Sequence, residues 1–125
     1  MSLEPNAIIL YVENLAISSH FYRDLLSTNP EEASPTFNAF RLSNGMSLGL
    51  KAKHAVEPSP HNTSGNGELA FIRHSDKEVD ELFAKWQEKR IHIIFSPDRV
   101  PYGYTFVALD PDGNRLRVIS LENKE

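Results

Sequence analysis

The chain has 125 residues, of which 40% are hydrophobic and 24% are charged. This length and composition predict one globular domain with a core of ordinary size. A formal net charge of −4 lacks the basic footprint of a nucleic-acid-binding protein, so we expect neither DNA nor RNA as a partner. Because the chain has no cysteine, a disulfide, a thiolate nucleophile and a cysteine-rich zinc site are all excluded.

Hydropathy along the chain bears on its location. No apolar run approaches the roughly 18 residues that a membrane-spanning helix needs. Residues 1–10 also lack the basic start and the apolar stretch of a secretory signal. The sequence therefore predicts a cytoplasmic protein that has no membrane partner.

The first half of the chain predicts a strand, a helix and three further strands. Residues 7–12 are apolar and rich in β-branched side chains, which favours a strand. A helix is expected over residues 15–26, where apolar side chains recur at every fourth position and Asn14 can cap the first turn. The next strands are expected near residues 29–34, 37–42 and 46–52.

The second half of the chain repeats this order of elements. Residues 68–73 predict a strand, and residues 75–89 predict a helix that begins with the Ser75 and Glu78 pair of a capping box. A tight turn is expected at residues 110–113, Asp-Pro-Asp-Gly, because proline presets φ and glycine tolerates a positive φ. The strands that follow the helix are expected near residues 92–96, 103–109 and 115–121.

The two halves align by position, which indicates duplication of one unit. Phe21 and Leu25 of the first helix fall on Leu82 and Trp86 of the second at the same spacing. The predicted fold class is therefore α+β, built from two βαβββ modules. The modules are expected at about residues 5–53 and 67–122, with a linker at residues 54–66.

Two sequence motifs occur together with the paired modules. They are Val12-Glu13-Asn14-Leu15-Ala16-Ile17-Ser18-Ser19-His20-Phe21-Tyr22 and Asp110-Pro111-Asp112-Gly113-Asn114. In combination these features resemble the vicinal oxygen chelate superfamily, which includes glyoxalase I, extradiol dioxygenases and bleomycin-resistance binding proteins. Within it, residues 68–71, 78–86 and 104–113 look most like the phenazine-antibiotic resistance proteins, which are metal-free binders of flat aromatic antibiotics. The resemblance implies a curved mixed sheet with the helices on its convex face and a ligand trough on the other face.

The resemblance also places four trough positions that hold a catalytic metal in other members. Here these positions are Ala7, Gly49, Glu68 and Arg117. A catalytic divalent metal needs about three protein ligands, and neither alanine nor glycine has a side-chain donor. The guanidinium of Arg117 repels a cation and is expected to pair with Glu68. We therefore expect no metal and no cofactor.

The expected pair of Glu68 and Arg117 has two interpretations. It either orients a ligand, through a carboxylate or a hydrogen-bonding ring nitrogen, or it is a structural salt bridge of the sheet. Candidates for stacking on a flat ligand are Tyr11, Tyr102 and Phe40. Because side chains alternate across a strand, the expected ligand-binding residues are Ile9, Tyr11, Lys51, Glu68, Thr105 and Arg117.

These expectations favour a small binding protein over an enzyme. The predicted function is metal-independent sequestration of a small, flat, hydrophobic or aromatic molecule, as in antibiotic resistance, and no residue is assigned a catalytic role. One alternative is a metal-dependent glyoxalase-like lyase or isomerase, or a relative of the dioxygenases, with Glu68 as base. Another is a structural or regulatory role. A homodimer is expected, because members of the superfamily often complete their troughs with a second chain and two-fold symmetry is the commonest assembly.

Overall fold

A computed structural model describes residues 5–57 and 68–122 of the chain. The chain divides into two compact units, Met1–Thr63 and Ser64–Glu125. Within the described residues, each unit contains one α-helix and a four-stranded sheet, so the predicted α+β fold of two βαβββ modules is confirmed. The expected linker begins in a short 3-10 helix, Lys53–Ala55, and residues 58–66 of it lie outside the described residues. No helix in the described part of the chain is long and apolar enough to cross a membrane.

The first unit contains β1 (Ala7–Val12), α1 (Leu15–Leu26), β2 (Glu32–Ala33), β3 (Phe37–Arg41) and β4 (Ser47–Ala52). Its strands lie in the order β1-β4-β3-β2, with β1 parallel to β4 and the other pairs antiparallel. Strand β2 is shorter than the predicted segment at residues 29–34. Pro30 and Pro35 flank it, and neither has an N–H group to extend the ladder.

One face of the first sheet forms the core of its unit. Val12, Phe40 and Leu50 are fully buried, and the strand register puts them on the same face. Helix α1 contacts β3 and β4 and contributes the fully buried Tyr22. The stacking role considered for Phe40 is therefore wrong, because a ring in this core cannot reach a ligand. As expected, Asn14 caps the helix: its Oδ1 accepts a hydrogen bond from the Ile17 N–H at 3.0 Å.

The second unit contains β5 (Glu68–Arg73), α2 (Asp76–Glu88), β6 (His92–Val100), β7 (Gly103–Leu109) and β8 (Arg115–Leu121). Its strands lie in the order β5-β8-β7-β6, with β5 parallel to β8. Strand β6 runs past the end predicted at residue 96, although Pro97 follows. It is an edge strand of this sheet, and its register with β7 shifts between Phe95 and Asp98. The missing N–H of Pro97 falls within this irregular stretch, where no regular ladder is interrupted.

An aromatic cluster joins helix α2 to the second sheet. The Trp86 ring centroid lies 5.8 Å from that of Phe71 and 5.3 Å from that of Phe106, in edge-to-face contacts. Phe83 makes a similar contact with Phe106 at 5.3 Å. Phe71 and Phe106 thus face the helix. Since side chains alternate along a strand, the residues before and after each of them face away from it.

The start of helix α2 is fixed by the predicted capping box. Ser75 Oγ accepts a hydrogen bond from the Glu78 N–H at 3.2 Å. In return, Glu78 Oε1 accepts from the His74 N–H at 3.3 Å, one residue before the position that the motif usually uses. Ser75 is therefore the N-cap, and the helix itself begins at Asp76.

Tyr104 connects strand β7 to the first turns of helix α2. Its hydroxyl donates a hydrogen bond to Asp80 Oδ1 at 2.7 Å. This bond raises the pKa of Tyr104 above its usual value, and partial burial and the charge of Asp80 act in the same direction. The neutral phenol is thus favoured in the folded state. The bond stabilises the fold fully below the unfolded-state pKa, and this contribution is lost as the pH rises through the folded-state pKa.

We expect the Asp80→Ala variant to lower the pKa of Tyr104 and to make unfolding less sensitive to alkaline pH. Ultraviolet titration of tyrosinate would report the pKa, and urea unfolding at neutral and alkaline pH would report the stability. Glu81→Ala removes an exposed carboxylate from the same helix and is the control. Identical tyrosinate titrations for Asp80→Ala and the unmodified protein would contradict the assignment.

Candidate functional site

Glu68 and Arg117 meet on the face of the second sheet that points away from helix α2. Arg117 Nε donates a hydrogen bond to Glu68 Oε2 at 2.8 Å. The side chain of Arg117 is 14% exposed and that of Glu68 is 34% exposed. The expected ion pair is therefore present, with the guanidinium largely covered and the carboxylate open to solvent.

The strand register explains how these two side chains meet. Arg117 lies on β8 directly between Ala70 of β5 and Val107 of β7, neither of which offers a polar group. Glu68 lies two residues before Ala70 on β5, and Thr105 lies two residues before Val107 on β7, so both are on the same face as Arg117. A long side chain can reach such diagonal positions on neighbouring strands. Arg117 therefore extends across the sheet to polar partners on both sides.

Thr105 holds the guanidinium from the side opposite Glu68. Its Oγ1 donates a hydrogen bond to the Val118 carbonyl oxygen at 2.8 Å and accepts one from Arg117 Nη1 at 3.3 Å. The hydroxyl proton is thus directed to the backbone, which leaves an oxygen lone pair for the guanidinium. Thr105 is fully buried, so the sheet covers this contact from solvent.

Tyr102 lies beside Arg117, in the turn between β6 and β7. Arg117 Cζ is 5.8 Å from the centroid of the Tyr102 ring, within the range of a cation–π interaction. The tyrosine is 51% exposed. Tyr102 is one of the three stacking candidates named from the sequence, and the structure places it against the ion pair.

The ion pair keeps hydrogen-bonding groups available. A guanidinium has five N–H donors, and within the described residues Arg117 uses one on Glu68 and one on Thr105. Glu68 Oε1 likewise has no hydrogen-bond partner among those residues. The pair can therefore bind a polar group through donors on one side and an acceptor on the other.

The rest of this face is mainly apolar. Ile72 lies opposite Ile119 on β8, and Phe95 lies opposite Val107 on β7. Ile72 and Phe95 are both exposed. The sequence analysis did not identify Phe95, because the register shifts on either side of it break the strict alternation by which faces are assigned from sequence.

The other predicted binding residues belong to the first unit. Ile9 lies opposite Gly49 and Tyr11 lies opposite Lys51, so all three predicted residues share one face of that sheet. Ile9 and Tyr11 are exposed. Lys51 Nζ lies 5.8 Å from the ring centroid of Phe37, an aromatic neighbour that the sequence analysis missed. The structure thus groups the six predicted residues into two sets of three, one in each unit.

The residues to which the superfamily resemblance assigns a metal, two in each unit, do not suit a divalent cation. Ala7 and Gly49 have no donor, and a Cβ atom at residue 49 would lie 2.6 Å from Ile9 Cδ1 and 2.9 Å from Phe37 Cε1. A ligating side chain at residue 49 would therefore displace its neighbours. Glu68 is paired with Arg117 instead. In the part of the chain that the structure describes, no group of three His, Cys, Asp or Glu residues could hold a metal ion.

The sequence is similar to those of known proteins over most of the chain. The model of the Glyoxalase/Bleomycin resistance protein/Dioxygenase superfamily matches residues 5–118. The phenazine antibiotic resistance protein EhpR of Enterobacter agglomerans is 30% identical over 124 residues, which cover 97% of this chain and 95% of that protein.

Solved structures have the same fold. The solution NMR structure of a protein from Agrobacterium tumefaciens is 45% identical, with a TM-score of 0.84 over 98% of this chain and 100% of that one. A glyoxalase-related enzyme from Fulvimarina pelagi is 20% identical, with a TM-score of 0.81 over 94% of this chain and 87% of that one, a likeness of fold alone. As its motifs predict, the chain belongs to the glyoxalase/bleomycin resistance/dioxygenase superfamily.

Proposed function

We propose that the protein binds and sequesters a small flat aromatic or hydrophobic molecule, without a metal, in the manner of an antibiotic-resistance protein. The observation that supports this most directly is the exposed Tyr102 ring beside the ion pair of Arg117 and Glu68. A flat ring can stack on the tyrosine while a polar substituent reaches the guanidinium or the carboxylate. Few polar groups on a mainly apolar surface are typical of a small-molecule site.

Two further observations favour binding over catalysis. Glu68 Oε2 accepts a hydrogen bond from Arg117 Nε within an ion pair, so this oxygen is already occupied by a donor of the protein. The relative that is 30% identical is named a phenazine antibiotic resistance protein. A glyoxalase-like lyase would need metal ligands, and residues 7, 49 and 117 do not supply them.

The proposal includes a homodimer that acts in the cytoplasm. Both stay predictions from the sequence and from its resemblance to the superfamily. Sedimentation equilibrium would test the dimer, and a single species at the mass of one chain would contradict it.

Thermal unfolding with added ligands tests the proposed function. Phenazine and other planar heterocycles should raise the unfolding midpoint, because a ligand that binds only the native state stabilises it by about 2.7 kcal/mol at 100 times its Kd. Divalent metal ions should leave the midpoint unchanged, and a chelator should leave phenazine binding unchanged. Stoichiometric metal in the purified protein, together with no response to any heterocycle, would favour the enzyme instead.

Two variants locate the binding surface. Tyr102→Ala should reduce the thermal shift that phenazine produces, because it removes the ring on which we place the ligand. Ile17→Ala removes an exposed apolar side chain from helix α1 and is the control. Equal thermal shifts for the two variants would place the ligand elsewhere.

A further inference from the structure

The geometry points to the chemical class of the ligand, an inference that rests on the proposed function. We infer that the site selects a planar aromatic molecule whose polar substituent is neutral and presents an acceptor next to a donor. A carboxamide is such a group. A carboxylate on the same ring is disfavoured.

Arg117 and Glu68 together offer hydrogen-bond donors next to an acceptor. Arg117 Nε and Glu68 Oε2 are 2.8 Å apart, so the remaining N–H groups of Arg117 and the Oε1 atom of Glu68 are close neighbours. Arginine can only donate and an ionised carboxylate can only accept. A planar substituent therefore satisfies both side chains when its carbonyl oxygen faces Arg117 and its N–H faces Glu68.

A ligand that carries a carboxylate instead would meet the negative charge of Glu68. It has no N–H for Glu68, and it would place a second carboxylate next to the one that Arg117 already pairs with. Two carboxylates at such short range repel each other. A neutral carboxamide avoids this repulsion and keeps the hydrogen bond from Arg117.

Positive and negative side chains balance over the face of the second sheet that carries Glu68 and Arg117. The strand register places two carboxylates and two guanidinium groups on this side of the second sheet. Within the described residues, its acidic, lysine and arginine side chains are Glu68, Asp98, Arg115 and Arg117. Opposite charges are thus equal in number, and the face offers no excess of positive charge to attract an anion.

Thr105 supplies no further hydrogen-bond donor to a ligand. Its hydroxyl donates to the Val118 carbonyl oxygen at 2.8 Å, so this proton is committed to the backbone. Thr105 orients the guanidinium but adds no donor that could offset the repulsion between a carboxylate ligand and Glu68.

Isothermal titration with three compounds that differ in one substituent tests this inference. The probes are phenazine, a phenazine carboxylate and the matching phenazine carboxamide, each at neutral pH. We expect the carboxamide to bind about tenfold more tightly than the carboxylate, the effect of about one hydrogen bond gained and one repulsion avoided. If none of the three binds, the proposed function fails. If they bind and the carboxylate is as tight as the carboxamide or tighter, only the present inference fails.

Glu68→Gln separates ligand recognition from a structural role. Glutamine keeps the shape of the side chain, removes the negative charge and adds an N–H donor. We expect this variant to bind the carboxylate about tenfold more tightly than the unmodified protein does, and so to abolish the preference for the carboxamide. Glu81→Gln makes the same charge change at an exposed position of helix α2 and should leave the preference as it was. A Glu68→Gln protein that weakens all three ligands equally would overturn the inference, and its thermal unfolding would report whether it folds.

Discussion

The Arg117→Ala variant is expected to bind a planar aromatic carboxamide about tenfold to a hundredfold more weakly than the unmodified protein, which is the usual effect of losing a hydrogen bond to a charged group. Three contacts disappear with the guanidinium: those to Glu68, Thr105 and the Tyr102 ring. Because Glu68 is one-third exposed, water can replace its lost partner. The free energy of unfolding should therefore change by only about 1 kcal/mol.

Calorimetric titration and urea unfolding of the same Arg117 variants would separate binding from stability. Arg117→Lys keeps the positive charge but lacks the planar fork that reaches two partners at once, so we expect it to recover only part of the affinity. Arg23→Ala removes an exposed arginine from helix α1 and should change neither quantity. Unchanged affinity in Arg117→Ala would show that the ion pair is a structural salt bridge of the sheet.

The Phe106→Ala variant should have the largest effect on stability, a loss of about 3–5 kcal/mol in the free energy of unfolding. Phe106 is fully buried and its ring contacts both Trp86 and Phe83 of helix α2. Alanine leaves a cavity between the helix and the sheet, and the edge-to-face contacts are lost as well.

Urea unfolding followed by tryptophan fluorescence would measure this loss, because Trp86 is the one tryptophan of the chain and lies against Phe106. Phe95→Ala removes the same atoms from an exposed position on the opposite face of the sheet, and it should lower the free energy of unfolding clearly less. Equal losses in the two variants would mean that the aromatic cluster does not hold the helix to its sheet.

The elements predicted most accurately from the sequence are those whose start or turn is determined by residues adjacent in the chain. Asn14 and Ser75 mark the helix starts through side-chain caps, and both caps form. The turn at residues 110–113 joins β7 to β8, where Gly113 adopts φ of 86° and Asp110 accepts from the Asp112 N–H. In each case the residue types themselves determine the local backbone.

The parts that the sequence analysis missed depend on pairing between distant segments. A proline at residue 97 indicates the end of a strand, yet β6 continues because its register with β7 shifts there. The same shifts set the direction of Phe95, which no alternation rule could assign. Strict alternation did bring Glu68, Thr105 and Arg117 to one face, because β5, β7 and β8 pair without interruption over these residues.

The irregular strand β6 also has a consequence for self-association. An edge strand with a free row of N–H and C=O groups can add a strand from another molecule, and exposed Ile94 and Phe95 would favour that reaction. Pro97 and the shifted register interrupt the regular spacing of those groups. The protein can therefore keep apolar side chains exposed on this strand while β6 remains a poor template for fibril growth.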